Sequence, residues 1–450
     1  MKKVSIVSLG CAKNLVHSEN MMGILQKHGY ELCDDYSEAE AIIINTCGFI
    51  NSAKEESINT ILEMANYKED KCQVLIVMGC MVQKYPEELA EGLPEVDVFL
   101  GTGSYLDIAD ILDNYTKEQG QMVEIADTWE KESDEAQPRV ITTPKSYAYL
   151  RISEGCDNNC TYCVIPQMTG PYRSRSIESI VTEAQDLAAQ GISEIILVAQ
   201  DTTYYGYDLS GRFLLADLLK ELNKIDGLRW IRILYAYPNN FDDELIETIA
   251  SLHKVCKYLD IPLQHGTDKI LRKMNRKITV QEIESLIAKL RAKMPDITLR
   301  STFITGFPSE TEEDFAELLA FLEKVQLERV GAFAYSREEG TAAALMPEQI
   351  PSQTAERRAE LLMEEQYDIM YHCHEKRLGQ KCLVKVDELS EDIDGLLLCR
   401  SMSEAPDVDP YILVYNDFTH QIGDYFWVKI TALDEYDMIG EIVNDDELAE

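Results

Sequence analysis

The segment SYAYLRISEGCDNNCTYCVIP, residues 146–166, joins a predicted β-strand to a loop that carries three cysteines. The strand spans 146–153, and the cysteines follow it within the stretch 156–163. Helical patterns separate this strand from five more, at 194–200, 231–237, 258–263, 297–306 and 328–336. Six consecutive βα units predict an α/β fold of the partial (β/α)₆ type, related to the TIM barrel, with its active site at the carboxyl ends of the strands.

The residues on either side of this barrel predict two smaller domains. Before it, strand patterns at 3–9, 41–45, 73–78 and 96–100 alternate with helical patterns at 18–28, 52–66 and 85–92, which predicts a parallel α/β domain. After a long helix at 354–378, short strands broken by Gly, Asp and Asn predict a small antiparallel β-barrel of the OB-like kind. The acidic stretch DTWEKESDEAQPR (127–139) is interpreted as a linker. The predicted domains are therefore 1–118, 142–378 and 379–450, with the linker at 119–141.

The composition predicts a cytoplasmic protein. The sequence has no apolar run of 18 residues, and its start, MKKVSIVSLGCAKN, predicts a strand and not a signal peptide. Twelve cysteines in a reducing compartment indicate metal or redox chemistry. The net charge of −38, from 42 basic and 80 acidic side chains, favours basic partners over nucleic acid, although acidic compositions are also common among bacterial cytosolic proteins.

Cys156, Cys160 and Cys163 form a C-x₃-C-x₂-C motif directly after the first barrel strand. Cysteine thiolates hold iron–sulfur clusters, and three ligands leave one iron of a [4Fe–4S] cluster open to a substrate or cofactor. The ring of Tyr162 is placed to pack beside such a bound group. A zinc site is the alternative, but zinc needs a fourth ligand, which is not nearby in the sequence. The motif therefore predicts a [4Fe–4S] cluster.

Three other cysteines are far apart in the sequence but equivalent in position. Cys11, Cys47 and Cys80 each stand just past the end of a predicted parallel strand, about one βα unit apart. Because the carboxyl ends of parallel strands lie along one edge of a sheet, these thiols can converge on one point. The spacing predicts a second cluster, with three independently buried cysteines as the alternative; the six remaining cysteines are expected to be structural. Glycines beside the trio allow the backbone to turn sharply there: Gly10, Gly48 and Gly79.

The C-x₃-C-x₂-C motif at the first strand of a partial barrel resembles the signature of the radical S-adenosylmethionine (SAM) superfamily. Longer segments resemble the methylthiotransferase family within it, over nearly the whole chain. They are SLGCAKNLVHSE (8–19), INTCGFI (44–50), MGCMVQKYPEEL (78–89), EGCDNNCTYCVIP (154–166), PLQHGTDKILRKMNR (262–276), TFITGFPSETEEDF (302–315) and YSREEGT (335–341). His17 stands where the family pattern has an aspartate, and little consequence is expected from this departure.

The resemblance implies two [4Fe–4S] clusters and two uses of SAM. At the cluster of Cys156, Cys160 and Cys163, SAM would be cleaved to a 5′-deoxyadenosyl radical that removes hydrogen from the substrate. A second SAM would methylate a sulfur carried at the auxiliary cluster, whose ligands are implied to be Cys11, Cys47 and Cys80. The resemblance also implies a TRAM domain at the C-terminal end and a reductant of the flavodoxin or ferredoxin type.

The resemblance also indicates a substrate. INTCGFI, LVAQDTTYYG (197–206) and the acidic terminal domain resemble the branch that methylthiolates the β-carbon of an aspartate in ribosomal protein S-twelve. The sister branch, of the MiaB type, acts on an isopentenylated adenosine in tRNA and is the alternative. A non-catalytic iron–sulfur carrier is disfavoured, because a carrier normally closes its clusters with four ligands and needs no large barrel. The expected partner is therefore S-twelve, and neither tRNA nor a membrane is expected.

Polar residues near the predicted rim of the barrel are candidates for binding SAM or substrate. Gln200 and Asp201 follow the second barrel strand, Arg232 lies in the third, Gln264 follows the fourth and Gly306 ends the fifth. A loop-capping role is the alternative for each. Those expected to bind SAM, together with Tyr162, are Gln200, Arg232, Gln264 and Gly306.

Four residues are candidates for a catalytic role. Gln200 and Asp201 lie at the predicted rim. Arg173 and Arg175 are candidates because a guanidinium pairs bidentately with a carboxylate, and an aspartate substrate would need such a partner.

The terminal barrel carries a strong charge imbalance. Residues 380–450 contain 4 Lys/Arg and 18 Asp/Glu. OB-like barrels that bind single-stranded nucleic acid combine a positive groove with stacking aromatics; this one has the aromatics but the opposite charge. It is therefore expected to attract a basic protein, through carboxylates that include Asp387, Glu388, Asp392 and Asp394. The aromatics are Tyr411, Tyr415, Phe418, Phe426 and Trp427.

Overall fold

The computed structural model describes residues 2–125, 136–144, 146–415 and 419–443. Residues 126–135 of the predicted linker and the aromatic Phe418 lie outside these described residues. The contacts divide the chain into two compact units. The first contains Met1–Thr142, Ser153–Ile180 and Ser336–Ala344, and the second contains Thr143–Ile152, Val181–Tyr335 and Leu345–Glu450. Because the units interleave along the chain, the domain boundaries given above stay a prediction.

The first unit is built on a six-stranded parallel sheet with helices on both faces. Its strands are β1 (Lys3–Ser8), β2 (Glu31–Leu32), β3 (Ala41–Thr46), β4 (Val74–Gly79), β5 (Val98–Leu100) and β6 (Met122–Glu124). Its helices include α1 (Ala12–Lys27), α2 (Asn51–Ala65), α3 (Cys80–Lys84), α4 (Pro86–Gly92) and α5 (Ile108–Asn114). The strand order is β2-β1-β3-β4-β5-β6.

The sequence of β3 explains these layers. All six of its residues are buried. Ile43 packs with Met21 of α1 on one face of the sheet, while Ile42 and Ile44 pack with Ile61 of α2 on the other. A parallel strand covered on both faces has a continuous apolar sequence, here AIII, and no alternation. The predicted parallel α/β domain is confirmed; β2 and β6 were missed because two or three residues give no strand pattern.

The C-x₃-C-x₂-C motif lies in a segment of the first unit that is flanked in the sequence by segments of the second unit. The strand β7 (Tyr147–Arg151) belongs to the second unit. The antiparallel hairpin of β8 (Ser153–Glu154) and β9 (Arg173–Ser174) belongs to the first unit, together with α6 (Ile165–Thr169). The helix α7 (Ile177–Ala189) then runs on into the second unit.

The second unit contains the predicted partial barrel. Its other strands are β10 (Glu194–Val198), β11 (Trp230–Ile233), β12 (Val255–Asp260), β13 (Thr298–Thr305) and β14 (Arg329–Ala334). All pairs are parallel, in the order β7-β10-β11-β12-β13-β14. The helices are α8 (Tyr207–Ser210), α9 (Leu215–Leu222), α10 (Asp243–Ser251), α11 (Asp268–Lys273), α12 (Val280–Lys293), α13 (Glu312–Val325) and α14 (Ser352–Glu375). Within the described part of the chain, no helix is long and apolar enough to cross a membrane.

A closed five-stranded barrel follows α14 in the same unit. Its strands are β15 (Lys381–Leu389), β16 (Leu396–Arg400), β17 (Ile412–Tyr415), β18 (Tyr425–Asp434) and β19 (Asp437–Ile442). Most pairs are antiparallel, as predicted, but β17 and β19 pair in parallel through Ile412 and Met438. Alternate residues of β18, among them Phe426, Val428 and Ile430, fill the core of this barrel.

A buried ionic cluster connects the terminal barrel to the parallel sheet of the second unit. Glu194, the first residue of β10, is fully buried and lies 2.9 Å from the guanidinium groups of Arg232 and Arg400. It also pairs with the ammonium of Lys385, and Arg400 pairs with Asp387. Burial opposes the ionisation of Glu194, but the three cations outweigh it and hold the pKa of its carboxyl well below the usual range.

Replacing Glu194 by Gln is therefore expected to lower the free energy of unfolding by about 3–5 kcal/mol, because three buried cations lose their shared anion. Urea unfolding followed by circular dichroism measures this loss. Because folding lowers the pKa of Glu194, its stabilisation is complete above the unfolded value of about 4.3 and is lost as the pH falls through the folded-state value.

The matched control is Glu244→Gln. Glu244 is exposed and pairs with Lys220 at 2.7 Å across the protein surface, so its replacement should leave stability almost unchanged. Similar losses in the two variants would show that the buried cluster has no special role in stability.

Candidate active site

Cys11, Cys47 and Cys80 come together at the carboxyl edge of the first unit's sheet. They follow β1, β3 and β4, which are neighbours in the sheet; Cys11 is the N-cap of α1, and Cys80 is the first residue of α3. A Cβ atom placed on Gly10 would lie 2.8 Å from the Cβ and 3.2 Å from the Sγ of Cys47. Gly10 also has a φ of +91°, so glycine is required for this loop to approach Cys47.

The thiols of this trio interact electrostatically. Burial is the main cause of the raised pKa values of Cys47 and Cys80, and negative charge on Cys11 raises both further. The ammonium of Lys13, which is only 7% exposed, acts in the opposite direction on both thiols. Three thiolates in this buried place therefore need positive charge beside them, which bound iron would supply together with Lys13.

Two buried asparagines hold the loops of this trio in place. Asn14 donates from Nδ2 to the carbonyl oxygen atoms of Leu9, at 3.0 Å, and Thr46, at 3.1 Å. Asn45 donates from Nδ2 to the carbonyl oxygen of Asn14 at 2.9 Å. The Oδ1 atom of Asn14 lies 3.8 Å from the Sγ of Cys80. Sequence reasoning missed both asparagines, although each stands within three residues of a motif cysteine, which was the available signal.

The loop that carries Cys156, Cys160 and Cys163 folds back on itself. The N–H of Cys156 donates to the carbonyl oxygen of Gly170 at 3.1 Å, and the N–H of Cys163 donates to that of Cys160 at 3.1 Å. Gly155 has a φ of +75° and leaves no room for a side chain against the facing backbone. The β8–β9 hairpin closes the loop at its two ends. All three thiols are partly exposed, as ligands that face an incoming cofactor must be.

Both trios belong to the first unit, and their segments are in contact. The helix α3, which begins at Cys80, packs against α6, which ends the second cysteine loop. The hydroxyl of Thr102 donates to the carbonyl oxygen of Met168 at 3.0 Å. After burial and the other two thiols, the negative charge of Glu154 also raises the pKa of Cys80. Glu154, at the start of the loop that carries Cys156, therefore lies close to the thiol of Cys80.

The chemistry of the donor sets fits an iron–sulfur cluster better than a single ion. Among the described residues, no three Cys, His or carboxylate side chains are packed closely enough to hold one metal ion. A cluster spreads its thiolate ligands over several irons. Three of the cysteines outside the trios, Cys72, Cys256 and Cys399, are buried, as small apolar core residues often are.

Three residues expected to bind SAM lie at the carboxyl ends of the barrel strands. Gln200 follows β10 and is partly buried. Gln264 follows β12 with a φ of +77°, and its N–H and C=O bond to Thr302 at 2.8 Å and Ile304 at 2.9 Å. A residue other than glycine in this left-handed region stores strain, which gathers at functional sites. Gly306 follows β13 with a φ of +71°. Their contact with SAM stays a prediction.

Asp201 and Arg232 have structural partners instead. Asp201 is 1% exposed, and its Oδ1 accepts from the N–H of Thr203 at 3.0 Å and its hydroxyl at 2.7 Å. It therefore caps the turn after β10, which was the alternative role. The guanidinium of Arg232 is fully buried, pairs with Glu194 and donates to the carbonyl oxygen of Met402 at 2.9 Å. The assignment of Arg232 to SAM is wrong, because its side chain turns to the first residue of β10 and the terminal barrel, away from the rim.

The remaining candidates lie on the cysteine loop and the strand after it. Tyr162 is partly buried. Arg173 donates to the carbonyl oxygen atoms of Thr169 at 3.1 Å and Pro171 at 2.6 Å, and Arg175 donates to the hydroxyl of Ser179 at 2.9 Å. Arg173 thus helps to fix the end of the loop, while Arg175 contacts the start of α7. The role of both towards a substrate carboxylate stays a prediction.

Three family models match the chain in series. Residues 3–101 match the uncharacterized protein family UPF0004, residues 150–322 match the radical SAM superfamily, and residues 378–443 match the TRAM domain.

Several curated relatives are similar over almost their whole length. The ribosomal protein uS12 methylthiotransferase RimO of Acetivibrio thermocellus is 46% identical over 450 residues, which cover 99% of both chains. The proteins of the same name from Geotalea uraniireducens and Clostridioides difficile are 48% and 45% identical and cover 98% of this chain and 98% and 99% of their own. The tRNA-modifying alternative is not favoured by these matches.

Solved structures with a similar fold are also radical SAM enzymes. The methyltransferase TsrM from Kitasatospora setae is 16% identical, with a TM-score of 0.56, covering 74% of this chain and 73% of its own. The cobalamin-dependent enzyme OxsB is 15% identical, with a TM-score of 0.55, covering 82% of this chain and 58% of its own. At these identities the likeness shows the fold alone.

Proposed function

The chain belongs to the family of RimO ribosomal protein uS12 methylthiotransferases, and we propose that it transfers a methylthio group to the β-carbon of an aspartate in uS12, the S-twelve protein. It is a radical SAM methylthiotransferase, as its motifs predict. The observation that supports this substrate chemistry most directly is the presence of two cysteine trios in one compact unit. Such a transfer needs one site that activates a carbon and one that supplies sulfur, and each trio suits one of these tasks.

We assign the [4Fe–4S] cluster of the radical SAM superfamily to Cys156, Cys160 and Cys163, and a second [4Fe–4S] cluster to Cys11, Cys47 and Cys80. Three thiols are the donor set in each case, and thiolates are the usual ligands of such clusters. When bound, these groups and SAM supply the hydrogen-abstracting radical and the sulfur that is methylated and transferred.

Other side chains of the protein position the thiols of the auxiliary trio and offset their negative charge. Lys13 offsets the accumulated negative charge beside Cys47 and Cys80, while Asn14 and Asn45 hold the loops that carry these thiols.

We propose that residues at the barrel rim and on the cysteine loop orient SAM. They are Tyr162, Gln200, Gln264 and Gly306. Arg173 and Arg175 are proposed to pair with the carboxylate of the target aspartate, because guanidinium groups match the geometry of a carboxylate.

The terminal barrel is the proposed docking surface for uS12. Of its four basic residues, Lys385 and Arg400 are fully buried in the ionic cluster, so they add no positive charge to the surface of this barrel. Asp387 is only 2% exposed and pairs with Arg400, and it is therefore not available to a partner. The turn that begins at the end of β15 presents exposed carboxylates instead, at Glu388, the second-last residue of β15, and at Glu391, Asp392 and Asp394.

Replacing these four turn carboxylates by lysine is expected to weaken uS12 binding on the order of tenfold at low salt, because a basic partner loses its attraction and meets repulsion. The difference should shrink as the salt concentration rises, since the Debye length is only about 10 Å at 0.1 M. Binding is measured by fluorescence anisotropy of labelled uS12 across a salt series. SAM cleavage without uS12 should not change.

A matched control reverses four exposed carboxylates elsewhere in the second unit, Glu317, Glu356, Glu360 and Glu364. This variant has the same net charge, so an effect of total charge alone would weaken binding equally in both. Equal weakening, or none in the turn variant, would remove the turn from the docking surface.

The experiment that tests the proposed function offers uS12 and tRNA separately to the anaerobically reconstituted protein, with SAM and a low-potential reductant, and reads both by mass spectrometry. A methylthio group on an aspartate of uS12 is the expected result. Modification of tRNA with uS12 untouched would overturn the proposal and promote the alternative substrate. We further propose that the enzyme acts in the cytoplasm, where ribosomes are, and receives electrons from a flavodoxin- or ferredoxin-type protein.

A further inference from the structure

His17 connects the helix that starts at one cysteine trio with the loop that carries the other. It lies on α1, which begins directly after Cys11. Its Nε2 is 2.9 Å from the Oε1 of Glu154, and its ring stacks on that of Tyr105 with the centroids 4.4 Å apart and the planes 18° apart. Because a carboxylate only accepts, Nε2 is the donor.

This contact is shielded from water and has a defined direction. The side chains of His17 and Glu154 are only 12% and 6% exposed, so water competes little for their hydrogen bond. Tyr105 is buried and fixes the plane of the imidazole, which leaves Nε2 one direction in which to donate. The geometry of the His17–Glu154 pair is therefore determined by the packing of the imidazole on Tyr105 as well as by charge.

Glu154 is well placed to transmit this contact to the loop. It belongs to β8 and pairs with Arg173 of β9, so it stands at the base of the hairpin from which the loop with Cys156 starts. A helix is stiff over the short distance from Cys11 to His17. The contact thus links Cys11 to the base of the second cysteine loop through rigid elements of one compact unit.

We propose that His17 is a positioning residue that fixes the loop of Cys156, Cys160 and Cys163 against α1 and so sets the separation between the two cysteine trios. For its consequence in catalysis this inference rests on the proposed function. When His17 holds the loop, each SAM cleaved at Cys156, Cys160 and Cys163 leads to transfer of a methylthio group from the other trio. When this contact is lost, SAM is cleaved but the methylthio group is not transferred.

Two variants separate the hydrogen bond from the ring contact. His17→Phe keeps a ring against Tyr105 but has no donor for Glu154, whereas His17→Gln keeps an N–H donor and loses the ring. The matched control is His28→Gln, since His28 is exposed at the other end of α1 and its Nδ1 lies 2.8 Å from the carbonyl oxygen of Ile24, within its own helix end.

The first measurement is amide hydrogen exchange of the full chain without added iron or SAM, and it does not depend on the proposed function. In His17→Phe the amides of residues 153–164 should exchange about tenfold faster, because local opening of the loop becomes easier. His17→Gln and His28→Gln should stay within about twofold of the unaltered protein. Unchanged exchange in His17→Phe, or equal acceleration in His17→Gln, would overturn the assignment.

The second measurement uses the reconstituted enzyme and the ratio of 5′-deoxyadenosine formed to methylthiolated uS12. His17→Phe should keep the iron content of the unaltered protein and raise this ratio about tenfold, while His17→Gln should restore it. A normal ratio in His17→Phe would overturn the positioning role even if exchange is faster. Failure of the unaltered protein to modify uS12 at all would count against the proposed function, and the exchange result would still decide whether His17 holds the loop.

Discussion

Replacing Cys156, Cys160 and Cys163 together by alanine is expected to abolish reductive cleavage of SAM and to leave one iron–sulfur cluster per chain. The three thiols lie on one self-closed loop, and the stretch 155–170 contains no further cysteine that could replace them. The auxiliary trio follows β1, β3 and β4, whose pairing does not involve the loop. Iron and sulfide after anaerobic reconstitution should therefore fall from about eight to about four of each per chain, with 5′-deoxyadenosine at the level of a protein-free blank.

A matched triple variant controls for the loss of any three thiols. Cys33, Cys373 and Cys382 have the same partial exposure as the trio but lie outside both cysteine groups. Their joint replacement by alanine should leave two clusters and normal SAM cleavage. If the loop variant binds no cluster, or still binds two, the assignment of the C-x₃-C-x₂-C motif is wrong.

The meeting of Cys11, Cys47 and Cys80 could be predicted because it follows from sheet topology. The runs KVSIVSL and AIIIN are recognisable as parallel strands from their apolar residues alone. Once β1, β3 and β4 are neighbours, residues just past their ends must share one edge. The prediction needed no knowledge of side-chain orientation, and for that reason the structure agrees with it.

The roles of single polar residues could not be predicted in the same way. Arg232 lies on a barrel strand, but only the three-dimensional structure shows that its guanidinium meets Glu194 and the terminal barrel. Asp387 belongs to a strongly acidic stretch, yet it is buried and its carboxylate pairs with Arg400 of the neighbouring strand. A sequence gives the number of charges, whereas their pairing depends on which strands are adjacent.

His17 illustrates the same limit from the other side. As a departure from a family pattern at a residue that is not a cluster ligand, it suggested little consequence, and nothing in the sequence places position 17 near position 154. The structure gives it a carboxylate partner and an aromatic platform. The spacing of residues within a motif does not predict contacts between segments that are more than a hundred residues apart in the sequence.

Replacing Cys11, Cys47 and Cys80 together by alanine is expected to abolish methylthio transfer while SAM cleavage stays detectable. The thiols of this trio lie at the edge of the first unit's sheet, and they are close enough to interact electrostatically. The loop of the other trio keeps its own hydrogen bonds and hairpin, so its cluster should form normally. The variant should therefore contain about four iron atoms per chain and produce 5′-deoxyadenosine without methylthiolated uS12.

A variant that lacks all six cysteines completes this test, because two independent sites should lose their clusters additively and leave no iron at all. Electron paramagnetic resonance of the reduced Cys11/Cys47/Cys80 variant should show a single cluster whose signal changes when SAM is added. The loop variant should instead show a cluster signal that does not change with SAM. If the Cys11/Cys47/Cys80 variant retains its loop cluster but cannot cleave SAM, the two trios do not divide the chemistry as proposed, and the auxiliary trio must take part in SAM cleavage itself.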